Sequence, residues 1–172
     1  MSKNLIKKAI IESIMQEYTV ADEKEFESAL SDLATLDLED NEVRYPKIDG
    51  KKYTSLFSVK GAFLYLLGRT ALPESGPFEI MIENIDDDII GFIRGTKNKN
   101  IISFNLIHIK EDYRGQGIGS DIYEEFLSNG FIIKSDSEIT DSTYSIYYKL
   151  VKYYDYIPLL FDDDCVGIMK KP

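Results

Sequence analysis

The sequence predicts a mixed α+β domain, a mostly antiparallel sheet flanked by helices, with an extra helical region at its amino-terminal end. Two observations predict the sheet: strand-like apolar runs crowd into residues 78–109, and short polar turns join them, as in hairpins. A third predicts the helices: apolar side chains recur at helical spacing near the amino terminus and again after residue 117. With 172 residues, 44% of them hydrophobic, the chain suits a single domain spanning 1–172. Residues 1–72 form a divergent, helix-rich part and 77–172 the better-patterned core.

Residues 4 to 18 carry Leu5, Ile6, Ala9, Ile10, Ile14 and Tyr18 on one helical face. Asp22 can cap a second helix, with Glu25 three residues on and Phe26, Ala29, Leu30 and Leu33 as its buried stripe. Between 42 and 72 two readings stay open, a helix over 58–67 or a strand over 53–59. Phe78 to Glu83 reads as a strand, followed by an Asp86-Asp87-Asp88 turn. Strands over 89–96 and 101–109 follow, joined by Lys97-Asn98-Lys99-Asn100. A Gly-rich loop opens a helix from about Gly117 to Ser128, stopped by Asn129-Gly130. Phe131-Ile132-Ile133 is a short strand without alternation, so both its faces are expected to be covered. A helix over about 140–153 is expected to bury Tyr147, Leu150, Val151 and Tyr154. Two short apolar runs, 156–161 and 165–169, flank a second aspartate turn.

Composition excludes several classes. The single cysteine and single histidine, Cys165 and His108, leave no set for a disulfide, a cysteine zinc site or a histidine cluster. The aspartate triplets lack the alternating spacing of a calcium loop, so no metal is expected. A formal net charge of −10 argues against direct nucleic-acid binding through a basic face and favours a cationic partner. No apolar run approaches a membrane span and no signal peptide is evident, so a cytoplasmic location is expected.

The residues with the most chemistry in their spacing are Arg114-Gly115-Gln116-Gly117-Ile118-Gly119-Ser120, at a strand-to-helix junction. Glycines there let the backbone approach an oxyanion, and the first amides of a helix have no intrahelical partners. Ser120 adds a hydroxyl and Arg114 a cation. The loop follows an antiparallel strand, which disfavours a dinucleotide-binding βαβ unit, and no Gly-Lys-Ser or Gly-Lys-Thr follows.

The stretch from Ile107 through Lys110-Glu111-Asp112-Tyr113-Arg114 to Ser120 resembles the central motif of the GNAT acetyltransferases, and the resemblance extends over roughly 78–156. It also resembles, more loosely, bacteriophage-encoded members of that superfamily, through Lys134-Ser135-Asp136, Thr140 and Tyr147-Tyr148-Lys149-Leu150. The resemblance implies acetyl-CoA as co-substrate. Ile107, His108 and Ile109 would hold the pantetheine arm, and the loop from Arg114 through Gly115, Gln116, Gly117, Ile118 and Gly119 to Ser120 the pyrophosphate. Thr140 stands where the family has an asparagine and could cap its helix or bond the cofactor arm. Tyr147 falls on the position of the acid that protonates the leaving thiolate, or is a core aromatic. Glu83 and Asp136 are candidate bases, each through a water. His108 would serve as a base only if strand alternation turned it to the cleft.

The activity expected is transfer of an acetyl group to a primary amine of a small molecule, a polyamine, or a protein lysine or N-terminus. A homodimer is compatible with it. The competing expectation is a catalytically inert scaffold, phage-encoded and acting in the host cytoplasm, whose acidic surface blocks a host protein. Retention of Arg114, Gly117 and Gly119 together favours the enzyme.

Overall fold

The computed structural model of the chain describes residues 18–36 and 43–172. The expected first helix, 4–18, lies outside them except for Tyr18, which instead opens strand β1 (Tyr18–Val20). Helix α1 (Glu23–Asp32) follows, capped as its sequence requires: the Asp22 carboxylate accepts from the Glu25 amide at 2.8 Å, and Phe26 and Leu30 are buried. After β2 (Ala34–Thr35) come β3 (Tyr53–Val59) and β4 (Ala62–Leu67), so the region left open between helix and strand is a hairpin. Its two-residue turn, Lys60-Gly61, has positive φ at both positions, 40° and 76°, which matches the twist of the strands it joins. Among the described residues of the part expected to be helix-rich, 1–72, four strands accompany one helix.

The core elements follow the sequence closely. They are β5 (Ser75–Glu83), β6 (Ile89–Asn98), β7 (Ile101–Ile109), a 3₁₀ turn (Glu111–Tyr113) and α2 (Ile118–Ser128). Next come β8 (Ile132–Lys134), β9 (Glu138–Ile139), α3 (Asp141–Tyr154), β10 (Ile157–Phe161) and β11 (Val166–Met169). Ile132 and Ile133 are both buried, as a strand covered on both faces should be. Tyr154 is the exception on α3. It is 50% exposed, because the helix ends there and Asp155 turns the chain away in the left-handed region.

Nine strands form one sheet in the order β1-β10-β11-β8-β7-β6-β5-β4-β3, and β2 pairs with β9 in a separate parallel ladder. Among the described residues of the large sheet only β7 and β8 run parallel, and they pair over Ile101–Ser103 with Ile132–Lys134. The reason β7 then leaves its neighbour is local. Arg94 of β6 pairs with Leu106, and Gly95 with Phe104, so Asn105 is an extra residue that bulges out of the ladder. A bulge bends and twists its strand. From Asn105 to Ile109 the edge of β7 therefore faces an opening instead of β8. Gly95 makes the bend sterically feasible, since a β-carbon there would stand 2.5 Å from the Phe78 ring and 2.8 Å from the Ser103 carbonyl oxygen. Phe104, Tyr123 and Phe126 interlock in edge-to-face pairs at 5.0–5.1 Å and anchor α2 beside the bulge.

Candidate active site

The opening beside β7 is a cleft of about 660 Å³. Its lining includes Leu106 to Ile109 of β7, Tyr113 to Gly115, Gly117 to Ser120, Tyr123 and the first turn of α3. The structure thus brings the expected pantetheine segment and the Gly-rich loop to one continuous wall; of the loop, only Gln116 is outside the lining, with Nε2 turned to the Asp112 carbonyl at 3.5 Å.

The three glycines of the loop serve different ends. Gly115 and Gly117 have φ of 76° and 82°, in the left-handed region that a β-carbon disfavours. Gly117 is the N-cap of α2 and contributes no capping side chain, so the first amides of the helix keep their donors for another acceptor. Gly119 is ordinary helix. A β-carbon on it would come within 3.2 Å of Ile146 Cδ1, so the missing side chain eases the approach of α2 to α3. Arg114 turns back along the loop, and its Nε donates to the Ile109 carbonyl at 2.6 Å, tying the end of β7 to the start of the loop.

At the other end of the cleft, Thr140 is the N-cap of α3 and its hydroxyl accepts from the Thr143 amide at 3.2 Å. Tyr147 is 1% exposed, packed edge-to-face on Tyr123 at 5.6 Å and tilted against Phe26 at 6.5 Å. It lines not the large cleft but a small cavity of about 20 Å³ that shares Leu106, Ile107, Tyr123, Thr140 and Thr143 with it. Burial pushes the Tyr147 hydroxyl well above the usual tyrosine range, and the neighbouring Tyr123 hydroxyl adds to the shift. Tyr123 is raised for the same reason, opposed by its bonds to Thr143 and Tyr147. Both phenols are held neutral.

Asp136 also lines the small cavity. Its Oδ2 accepts from Asn105 Nδ2 at 3.1 Å, across the gap between β7 and the segment after β8, and its Oδ1 accepts from the Ser137 amide. Glu83 is not brought to the cleft lining. It ends β5 opposite Phe63 and Ile89, two strands away from β7. Partial desolvation raises its carboxyl above the usual range, with repulsion from Asp87 adding to it. His108 contributes to the cleft wall, while its ring is set against Tyr45 at 5.5 Å and Phe92 at 5.7 Å. The aspartate triplets are turns: Asn84 Oδ1 accepts from the amides of Asp86 and Asp88, and Asp163 Oδ1 accepts from the Cys165 amide.

Four contributors carried no readable signal in the sequence. Thr35, Leu36 and Val43 close one side of the cleft, and Leu36 is placed by donating its amide to the Ile139 carbonyl at 2.8 Å. Lys60 stands at the rim: its Nζ lies 3.4 Å from Asp121 Oδ2 and would be 3.2 Å from a β-carbon on Gly117. Tyr123 lies on the helix expected after the loop, where nothing in the sequence singled it out.

The sequence model of the acetyltransferase (GNAT) family matches residues 47–131, from just before β3 through α2. No curated protein matches the chain significantly. Among solved structures it is similar to a tandem GNAT protein from the clavulanic acid biosynthesis pathway, at 12% identity over 38% of this chain and 22% of that one, TM-score 0.29. It is also similar to the GNAT family N-acetyltransferase YhbS from Escherichia coli in complex with CoA, at 16% identity over 34% and 38% of the two chains, TM-score 0.27. A third is the PaiA N-acetyltransferase from Thermoplasma acidophilum in complex with coenzyme A, at 18% identity over 56% and 62%, TM-score 0.37. The chain spans less than two thirds of the length of each. No helix among the described residues is long and apolar enough to cross a membrane. The family model covers 85 of the 172 residues, and over that stretch, from β3 through α2, the chain is similar to the GNAT acetyltransferases.

Proposed function

We propose that the chain transfers an acetyl group from acetyl-CoA to a primary amine. The observation that carries this reading is one cleft with two different walls, the β7 edge freed at the Asn105 bulge and the amide-rich start of α2. A pantetheine arm is an extended chain of amides and fits a strand edge that no neighbouring strand covers, which offers backbone donors and acceptors. A diphosphate fits the N-terminus of an eleven-residue helix capped by glycine, where amide dipoles converge and no side chain intrudes. The donor set and the cleft's size therefore suit coenzyme A. When bound, acetyl-CoA supplies the activated thioester carbonyl.

The chain's own residues would divide the remaining work. The acceptor amine must lose a proton to attack, and Asp136, oriented by Asn105 and the Ser137 amide, is the proposed base, acting through a water. As the new C–N bond forms and the C–S bond breaks, the leaving sulfur needs a proton. Tyr147 is the proposed source, by relay: burial keeps its hydroxyl protonated, and Tyr123, hydrogen-bonded to it and lining the larger cleft, would give its own proton to the sulfur as it takes that of Tyr147. Thr35, Leu36 and Val43 shield the reacting groups from water on the opposite wall. The net charge of −10 favours a cationic acceptor such as a polyamine or a lysine-rich peptide.

Calorimetry with acetyl-CoA, followed by mass spectrometry of polyamines and lysine peptides incubated with both, tests the reading. Binding and a mass gain of one acetyl group are expected. Absence of binding at millimolar acetyl-CoA would overturn it.

A further inference from the structure

The cation beside the helix N-cap comes from outside the Gly-rich loop. Arg114 commits its Nε to the Ile109 carbonyl, whereas the side chain beside the helix N-cap is Lys60, from a hairpin far away in sequence. Lys60 occupies the first turn position between β3 and β4 at φ 40°, where most L residues are unfavourable. The hairpin is fixed over α2 by Phe57, which packs edge-to-face on Phe126 at 4.9 Å. This carries the Lys60 ammonium to within 3.4 Å of Asp121 Oδ2. Asp121 is an acidic residue in the first turn of α2, with a buried Oδ2 that makes no hydrogen bond. A carboxylate there repels an anion approaching the helix amides, and an ammonium beside it cancels the repulsion. The Lys60 side chain is 63% exposed, so its head is free to move between the two groups.

We propose that Lys60 is a direct ligand of the cofactor diphosphate, exchanging its contact with Asp121 for the phosphate oxygens beside Gly117. The inference rests on the acetyl-CoA reading above and assigns to it a residue outside the Gly-rich loop. In the bound state the Lys60 ammonium and the first amides of α2 would hold the diphosphate together. Asp121 is then the group that parks Lys60 when the site is empty.

The test uses the full chain and two probes, coenzyme A and 3′-dephospho-coenzyme A, titrated against wild type, Lys60→Gln, Lys60→Arg and Asp121→Asn. Loss of a charge-assisted contact predicts that Lys60→Gln weakens both probes about tenfold or more, and that Lys60→Arg recovers most of it. Asp121→Asn is expected to tighten both, because it removes a competing anion. A purely structural Lys60–Asp121 bridge would instead make the two neutral variants change in the same direction, which overturns the proposal. A loss confined to coenzyme A places Lys60 on the 3′-phosphate and overturns it too. If wild type binds and Lys60→Gln binds equally well, only this inference falls. If wild type binds neither probe, the acetyl-CoA reading falls with it. Melting each variant without ligand guards against a folding defect.

Discussion

Replacing Gly117 by aspartate and, separately, by asparagine splits charge from strain at the start of α2. Both side chains have the same shape, and both tolerate the left-handed φ of 82° better than other L residues. Each should therefore cost about 1 kcal/mol of stability, a drop of roughly 2–4 °C in Tm for a domain of this size. The affinities should diverge. A carboxylate about 4 Å from a phosphate charge costs ~4 kcal/mol at an effective dielectric of ~20. Lys60 stands 3.2 Å from the new β-carbon and would neutralise part of that charge, leaving on the order of 2–4 kcal/mol. Aspartate should then weaken coenzyme A roughly thirty- to several-hundredfold relative to asparagine, since each ~1.4 kcal/mol is tenfold. Calorimetry at fixed ionic strength reads the ratio, and thermal melting without ligand confirms equal strain. Equal affinity of the two variants would remove the diphosphate from the α2 N-terminus and refute the reasoning.

Three other perturbations follow from the same geometry. Tyr147→Phe should lower turnover about 100-fold if the hydroxyl protonates the leaving sulfur, with coenzyme A affinity nearly unchanged; a rate within a small factor of wild type would leave Tyr147 as core only. Glu83→Gln should leave turnover nearly intact and raise Tm at pH 7, because a carboxyl whose folded pKa is raised is penalised once it ionises. That gain should vanish as pH falls below the usual carboxylate range, where both states are protonated, and a gain that persists in acid would contradict the assignment. The KM of a cationic acceptor should rise between low and physiological salt, while a neutral or anionic preferred acceptor would show that the net charge of −10 does not select the substrate.

The sequence by itself determined the elements whose signals are local. Asp22 and Glu25 marked the start of α1, Asn129-Gly130 the end of α2, and strand β7 ran over the expected 101–109, because caps, stops and apolar periodicity act over a few residues. The Gly-rich loop was legible for the same reason, its φ values being written in glycine. Only the tertiary structure decided what those elements enclose. The Asn105 bulge depends on register with Arg94 and Gly95 across a hairpin, and no period in one strand reveals which residue its neighbour will skip. The 53–67 segment was ambiguous because a short apolar run satisfies either period until an edge such as β5 offers it a ladder. That the missing side chain of Gly119 also gives room to Ile146 of α3 is equally a matter of long-range packing. The positions of Glu83 and Lys60 have one physical reason: sheet order, set by long-range pairing, put the first two strands from the cleft and brought the second to the helix N-cap across some sixty residues of chain.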